Sequence, residues 1–239
     1  MIALILQARI DSSRLHGKSL LPLDGKQLIF RVMESLRPLP VDTKVLACPE
    51  DSVSAFSRLA MEAGFLLIAG PKEDVLARCC LAIRRTRADR IIRATGDNPF
   101  VFVDAAAAIN AEALEISADY AAYQELPCGA GVESVSSEAL LRAEREALAP
   151  AEREHVCPYL YNHPELFRLH RPPAPPRWRE PAIRVTVDTQ DDYERALTLH
   201  NHLLSLPQEE RNLGENVIAA YKSLFAGNAP KDDFSGGGE

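Results

Sequence analysis

Three basic residues stand close together after the first apolar run of the chain. Arg9, Arg14 and Lys18 fall within ten residues, although the chain of 239 residues has a formal net charge of −7. Guanidinium and ammonium groups bind phosphate oxygens, and the small neighbours Ser12 and Ser13 let backbone N–H groups approach an anion. No Walker sequence GxxxxGK[ST] is present, so the segment predicts a phosphate-binding loop of another kind. A solvated basic loop is the alternative interpretation.

Two carboxylates follow predicted strands. Asp97 comes after the predicted strand 89–94, and Asp188 comes after the predicted strand 183–187. Ligands bind at the carboxyl ends of strands in open α/β sheets, and Mg²⁺ usually takes only one or two protein carboxylates besides phosphate oxygens. We therefore expect Asp97 and Asp188 to share Mg²⁺. For Asp97, a structural Asx turn or a helix N-cap is the alternative.

The acidic residues just after Asp188 have a structural interpretation. Thr189 is a natural N-cap, and Asp191 and Asp192 would lie in the first turn of the helix that it begins. Carboxylates are favourable there because the helix dipole is positive at its N-terminus.

A third group of residues suits recognition of a polyol. Gly129 begins a glycine-bearing turn that leads to Glu133, whose carboxylate can accept hydrogen bonds from sugar hydroxyls, and His155 lies in a polar segment further along. A hairpin turn and a surface histidine are the alternative. A metal site formed by Cys128, His155 and Cys157 is disfavoured, because this spacing matches no common site.

These residues need a scaffold that brings distant segments together. Strand-like and helix-like segments alternate, which predicts an α/β fold with a mostly parallel central sheet flanked by helices. The predicted strands are 1–7, 44–47, 65–68, 89–94, 119–123, 131–135, 166–170 and 183–187. The predicted helices are 28–36, 52–63, 73–85, 103–116, 137–148, 151–163 and 190–204.

Composition narrows the class of protein. With 46% apolar and 26% charged residues, the chain has the balance of a globular protein. The net negative charge argues against a nucleic-acid partner. No apolar run is long enough to span a membrane, and the N-terminus lacks a basic leader. The cysteines are odd in number and form no CxxC pair, so we expect a cytoplasmic location.

The chain is predicted to form one domain over residues 1–226. Within it, we expect residues 119–182 to provide the sugar-binding region and an arm for dimerisation. The segment 172–181 holds five prolines in ten residues, which favours an extended connector or arm. The polar, glycine-rich tail 227–239 is predicted to be disordered.

At these motifs the chain resembles the sugar nucleotidyltransferases of the CMP-KDO and CMP-sialate synthetase type. Within that group it is most similar to the SpsF-like cytidylyltransferases of spore-coat polysaccharide biosynthesis. The resemblance covers residues 1–205. It rests on Gln7-Ala8-Arg9, Ser12-Ser13-Arg14-Leu15-His16-Gly17-Lys18, Gly96-Asp97-Asn98-Pro99, Gly129 to Glu133, Glu154-His155-Val156-Cys157-Pro158 and Thr186-Val187-Asp188-Thr189.

The resemblance implies a glycosyltransferase-A-like, Rossmann-like nucleotidyltransferase fold. It also implies Mg²⁺-dependent attack of a sugar hydroxyl on the α-phosphate of CTP, with release of pyrophosphate. By position, Arg14, Lys18, Asp97 and Asp188 would be catalytic, and the two aspartates would bind the metal. The nucleotide would lie against Gln7, Ala8, Arg9, Ser12, Ser13, Arg14, Lys18, Thr95, Gly96 and Asp97. The sugar would lie against Tyr123, Gly129, Glu133 and His155.

Some residues depart from the family pattern. His16 stands where the family usually has proline, and Cys157 stands where threonine is common. Asn98 replaces the acidic residue of the KDO enzymes, which argues against KDO itself as the sugar.

Two other functions are compatible with the sequence. A glycosyltransferase that consumes a nucleotide sugar could use the same fold, although Asp97-Asn98-Pro99 fits its usual DxD motif poorly. A non-catalytic nucleotide-binding module is the other, and the joint presence of Arg14, Lys18, Asp97 and Asp188 argues against it. A homodimer is the oligomeric state expected by resemblance.

Overall fold

The computed structural model describes residues 1–12 and 14–225. Ser13 and the predicted tail 227–239 lie outside the described residues. The strands are Ile2–Gln7 (β1), Pro22–Leu23 (β2), Lys26–Gln27 (β3), Thr43–Pro49 (β4), Leu66–Gly70 (β5), Arg90–Thr95 (β6), Tyr120–Ala121 (β7), Glu133–Ser136 (β8) and Leu169–His170 (β9). The helices are Leu28–Ser35 (α1), Val53–Ala63 (α2), Val75–Thr86 (α3), Val103–Glu115 (α4), Ser137–Glu146 (α5), Pro150–His155 (α6), Pro158–Asn162 (α7), Gln190–Leu203 (α8) and Gly214–Phe225 (α9).

A seven-stranded sheet forms the centre of the fold, in the order β5-β4-β1-β6-β8-β7-β9. Strands β5, β4, β1 and β6 are parallel, while β8 runs antiparallel to both of its neighbours. The prediction of an α/β fold with a mostly parallel sheet is therefore confirmed. The strands at its centre are apolar on both sides, as strands covered by helices on both faces must be.

Helices cover both faces of the sheet. Helices α1, α2 and α4 pack on one face around Leu4 and Leu6, and α3, α5 and α7 pack on the other around Ile5 and Ile91. A third apolar cluster joins α8 and α9 to Trp178, which is only 1% exposed. Burial of apolar surface at about 25 cal/mol per Å² is the main force that holds these layers together.

The prediction of a strand at 183–187 is wrong. Arg184 makes one isolated bridge to Cys128, and the segment joins no strand of the sheet. The physical reason is that its backbone N–H groups are bound by loops: those of Val185 and Thr186 donate to the Cys128 carbonyl, and that of Val187 donates to the Asp97 carbonyl. The segment instead crosses the carboxyl end of the sheet.

Three further features differ from the sequence prediction. The predicted helix 151–163 is broken into α6 and α7, because Val156 adopts a positive φ of 74° and Pro158 starts a new helix. Helix α9 was not predicted. Trp178, which lies in the proline-rich segment expected to form an arm, packs inside its own chain, 5.8 Å from the Tyr123 ring.

Candidate active site

The carboxyl ends of β1 and β6 lie side by side and form the floor of the site. Gln7 pairs with Thr95, and the Gly96 N–H donates to the Gln7 carbonyl at 2.8 Å. A Cβ at Gly96 would stand 2.8 Å from both Ala8 Cβ and Ile29 Cδ1, closer than side chains pack. A glycine here therefore lets the Asp97 turn lie directly against the segment that carries the basic residues.

Lys18 lies between the two predicted metal ligands. Its Nζ is 2.9 Å from Asp97 Oδ2, 2.9 Å from Asp188 Oδ1 and 2.9 Å from the Val187 carbonyl oxygen. Three acceptors satisfy the three donors of an ammonium group. The side chain is 13% exposed, so Lys18 holds the carboxylates together rather than projecting freely toward a triphosphate.

Asp188 reaches this point because its segment crosses the sheet edge. The Val187 N–H donates to the Asp97 carbonyl at 2.9 Å, which ties the two aspartates together through the backbone. Asp188 also pairs with Arg184 at 2.6 Å and with Arg14 at 3.1 Å. Burial acts to raise the pKa of Asp188, but the surrounding cations outweigh it and hold that pKa below its ordinary value. The carboxylate is therefore charged at neutral pH.

The oxygens around Lys18 Nζ fit a magnesium ion. Two carboxylates and one backbone carbonyl already converge on a single cationic group, and oxygen ligands are those that Mg²⁺ prefers. Lys18 would have to withdraw for both aspartates to bind a metal ion at this point. Among residues 1–12 and 14–225, no three His, Cys, Asp or Glu side chains gather into a metal cluster, so the site would rest on this pair.

A cleft of about 240 Å³, called the first cleft, opens above this cluster. It brings together all the predicted nucleotide-binding residues that the structure describes, with Asp188 and His155. The lining consists of Gln7, Ala8, Arg9, Ser12, Arg14, Lys18, Ser19, Val75, Arg78, Thr95, Gly96, Asp97, Glu154, His155 and Asp188. His155 was expected on the sugar side, but the structure places it here, at the end of α6.

Arg78 is a residue of the first cleft that sequence reasoning missed. It is 2% exposed and donates to the Pro71 carbonyl at 2.5 Å, and its Nε has no hydrogen-bond partner among the described residues. Burial, with Arg9 nearby, lowers its pKa. The available signal was its spacing in α3, because Arg78 shares the buried face with Val75 and Ala82. A buried cation at an anion-sized cleft is suited to bind phosphate.

A second cleft of about 280 Å³ adjoins the first and shares Thr95 with it. Tyr123, Gly129 and Glu133, which were predicted to contact the sugar, line it together. Gly129 has a φ of 91°, and a Cβ there would stand 2.6 Å from the Thr186 backbone nitrogen. This glycine lets the turn press against the segment that leads to Asp188.

Glu133 is engaged by the protein itself. One carboxylate oxygen pairs with Arg93 and accepts from the Cys157 thiol at 3.3 Å, and the other accepts from the Tyr120 hydroxyl at 3.0 Å. Burial, with Glu133 beside it, raises the pKa of the Cys157 thiol well above its usual value, so the thiol stays protonated and donates. Cys157 is thereby committed to Glu133, which leaves no metal site of Cys128, His155 and Cys157.

The side chains that contact Glu133 extend to the first cleft. Arg93 Nε donates to Gln7 Oε1 at 2.9 Å, which leaves the amide NH₂ group of Gln7 available to a ligand. Glu133 thus acts through Arg93 on Gln7, and it touches the second cleft with a carboxylate that is already hydrogen-bonded.

Asn98 supplies an unused acceptor between the clefts. Its Nδ2 donates to Thr95 Oγ1 at 2.8 Å, while its buried Oδ1 has no hydrogen-bond partner within the described part of the chain. Because a buried acceptor without a partner costs about 1–3 kcal/mol, a ligand hydroxyl here would be bound favourably. Asn98 lines the second cleft beside Tyr123 and Gly129.

The chain is similar in sequence to known proteins. The sequence model of the cytidylyltransferase family matches residues 3–218. The chain is 33% identical over 206 residues to the spore coat polysaccharide biosynthesis protein SpsF of Bacillus subtilis, which covers 83% of this chain and 86% of that protein.

Two solved structures share the fold. A cytidylyltransferase of Leptospira borgpetersenii superposes with a TM-score of 0.82 at 23% identity, covering 93% of this chain and 94% of the other. A CMP:2-keto-3-deoxy-manno-octonic acid synthetase complexed with CTP superposes with a TM-score of 0.64 at 17% identity, covering 86% of this chain and 99% of the other.

No helix within the described ranges is both long and apolar enough to cross a membrane.

Proposed function

The chain belongs to the cytidylyltransferase family, and we propose that it transfers CMP from CTP to a sugar and releases pyrophosphate. The observation that carries this proposal is the meeting of the basic segment, Asp97 and Asp188 in one cleft. The CTP held by the synthetase of the same fold supports CTP as the nucleotide.

The residues of the first cleft suit the charge changes of this reaction. A sugar hydroxyl attacks the α-phosphorus, loses its proton, and the bond from that phosphorus to the pyrophosphate oxygen breaks. Arg9, Arg14 and Arg78 surround the cleft and would bind the triphosphate and stabilise the departing pyrophosphate. Mg²⁺ held by Asp97 and Asp188 would neutralise phosphate charge and orient the attacking hydroxyl. Lys18, released from the aspartates, would then be free to contact phosphate.

The second cleft favours a sugar recognised through its hydroxyls. Its only lining cation among the described residues is Arg93, and Glu133 neutralises that charge. The free acceptor is Asn98 Oδ1, which suits a hydroxyl donor rather than a carboxylate. We therefore place a neutral polyol ahead of an acidic sugar. The relationship to SpsF supports a role of the product in surface polysaccharide or glycoconjugate synthesis.

A ligand screen tests the nucleotide first. The midpoint of thermal unfolding is measured with CTP, UTP, ATP and GTP, each with and without Mg²⁺, because a ligand of the native state raises its stability by mass action. We expect the largest shift with CTP and Mg²⁺. Pyrophosphate release from CTP is then assayed with neutral and acidic sugars.

Other outcomes of this screen would distinguish the proposed function from the two alternative functions. A shift with nucleotide sugars but with no free triphosphate would favour a glycosyltransferase. A CTP shift without pyrophosphate release from any sugar would leave a non-catalytic binding module. Absence of a shift with every nucleotide would contradict the proposed function.

A further inference from the structure

A third cavity, of about 380 Å³, lies away from both clefts and shares no lining residue with either. We call it the C-terminal cavity, because α8 and the turn before α9 close it against α1. It is lined by Lys26, Arg31, Glu34, Ser35, Arg37, Pro38, Pro99, Val103, His200, Gln208, Glu209, Arg211 and Asn212. Its volume falls in the range of small-molecule sites, about 300–1,000 Å³.

The lining is basic in a chain that is acidic overall. It holds four cations, Lys26, Arg31, Arg37 and Arg211, against two carboxylates, Glu34 and Glu209. Lys26 and Arg31 both pair with Glu34, at 2.8 and 2.9 Å. Arg31 also pairs with Asp24 at 2.8 Å, so two carboxylates balance these two cations, and Arg37 and Arg211 remain against Glu209.

Two guanidinium groups remain without an ion pair. Arg37 is exposed, and among the described residues neither it nor Arg211 pairs with a carboxylate. Arg211 is held by the Leu206 and Leu204 carbonyls, at 3.0 and 3.2 Å, which orient its side chain without neutralising its charge. Such an oriented guanidinium binds phosphate oxygens well.

His200 is partly buried in the cavity and lies near two of its arginines. Its Nε2 is buried and has no hydrogen-bond partner in the described chain, since the Asp24 carboxylate oxygen is 3.7 Å away, too far for a hydrogen bond. Burial lowers the pKa of His200, Arg31 and Arg211 lower it further, and the nearby Asp24 carboxylate opposes them without restoring the ordinary value. An anion in the cavity would offset the positive charge of the arginines and favour the imidazolium.

We propose that the C-terminal cavity binds a small phosphorylated molecule. Two guanidinium groups without ion pairs match the double negative charge of a phosphomonoester, and the volume leaves room for an organic group attached to it. His200 would donate to the ligand once it is protonated. This site is independent of the proposed transfer reaction.

The test uses the histidine ring signals in the NMR spectrum of the full chain, with inorganic phosphate as the probe. The chain has six histidines, and the signal of His200 is identified by its loss in His200→Gln. We expect saturable shifts of the His200 signal and a rise of its pKa when phosphate binds. The same response is expected in Arg14→Ala, in which the first cleft is weakened.

Matched charge reversals locate the binding. Arg37→Glu should weaken phosphate binding at least about tenfold, as expected for the loss of a charge-assisted hydrogen bond. Arg85→Glu, an exposed arginine of α3 that lines none of the three cavities, should leave it unchanged. An unresponsive His200, or equal weakening in the two variants, would overturn the proposal. An equal response to acetate would overturn the assignment to phosphate.

Discussion

At the residue scale, the Lys18 ammonium group holds two carboxylates close together, which a metal ion could also do. Asp97 and Asp188 lie on the same ammonium group, and two carboxylates brought this close would repel each other without a cation between them. The lysine therefore preserves the arrangement of the aspartates. Exchange of the ammonium for Mg²⁺ would assemble the reactive site without moving the backbone that holds the two carboxylates.

We predict that Asp97→Asn and Asp188→Asn each lower the turnover number by on the order of 10²–10³, because each removes a carboxylate that would hold Mg²⁺, whose positive charge would stabilise the transition state. The measurement is pyrophosphate release under saturating CTP. Asp191→Asn is the matched control, since Asp191 lies in the exposed first turn of α8. Normal turnover in both site variants would exclude the metal assignment.

A second feature at the residue scale is the Arg93–Glu133 ion pair. It helps to hold the side chains of the site in position. The side chains are 11% and 19% exposed, so their charges depend on each other. Removal of one partner from a buried pair leaves an uncompensated charge, which costs more than the pair contributes.

We predict that Glu133→Ala lowers the free energy of unfolding by about 3–5 kcal/mol, the usual cost of breaking a buried pair. Urea unfolding checks this value, and Glu138→Ala, an exposed glutamate of α5, serves as the control. If Glu133→Ala is as stable as the control and only the KM for the sugar rises, then Glu133 is a sugar ligand and not a support for Arg93.

At the scale of the element, the N-terminus of α8 determines where Asp188 lies. The Thr189 hydroxyl accepts from the Asp192 N–H at 3.2 Å, and Asp192 accepts in return from the Thr189 N–H at 3.0 Å. Asp192 also accepts from the Asp188 N–H at 3.0 Å and pairs with Arg184. The capping box thus fixes the backbone of the predicted metal ligand, in addition to starting the helix.

This cap makes stability depend on pH. Burial acts to raise the pKa of Asp192, but Arg184 and the backbone N–H groups outweigh it, so its folded pKa lies below the unfolded value of about 3.9. Its contribution to stability is therefore present above that unfolded value and is lost as pH falls through the folded pKa.

We predict that Asp192→Asn destabilises the protein at pH 7 and that its difference from the wild type shrinks as pH falls below the unfolded pKa of about 3.9. Urea unfolding over this pH range measures the effect, with Asp191→Asn as the neighbouring control. A constant difference between Asp192→Asn and wild type at all pH values would contradict the proposed linkage.

At the scale of the whole molecule, the C-terminal helices secure the turn that carries Asp97. Asn212 Nδ2 donates to the Pro99 carbonyl at 3.0 Å, and the Asn212 carbonyl accepts from the Val103 N–H at 3.0 Å. Helices α8 and α9 bury Phe102 and Trp178 in the same region. Helices α8 and α9 and the turn between them therefore stabilise the site.

We predict that truncation after Pro207, which removes α9 and Asn212, lowers the unfolding midpoint and shifts the emission of the single tryptophan, Trp178, to longer wavelength as it becomes exposed. Truncation after Phe225 keeps every described element and should change neither property. Unchanged tryptophan emission after the longer truncation would show that α9 does not support this core.

The local pattern of the sequence was sufficient to predict the fold class and part of the candidate site. Alternating apolar strands and amphipathic helices predict a mostly parallel sheet, and parallel strands place their carboxyl ends on one edge. For this reason the amino-acid sequence alone predicts that the basic residues after β1 lie close to Asp97 after β6. The same reasoning was applied to Asp188 after a strand at 183–187 that does not form, so for Asp188 the prediction rests on the motifs shared with the cytidylyltransferases.

Only the tertiary structure decided how these residues are used. The hydrogen bond from Lys18 to Asp188 joins positions 170 residues apart, and local periodicity carries no information about such a contact. The same holds for the segment 183–187, which has the pattern of a strand but hydrogen-bonds to the loops at Cys128 and Asp97, and for Arg78, whose burial depends on what packs against α3. Residue types and local spacing determine which chemistry is available, whereas long-range packing determines which charges meet, because electrostatic pairing depends on distance in space and not along the chain.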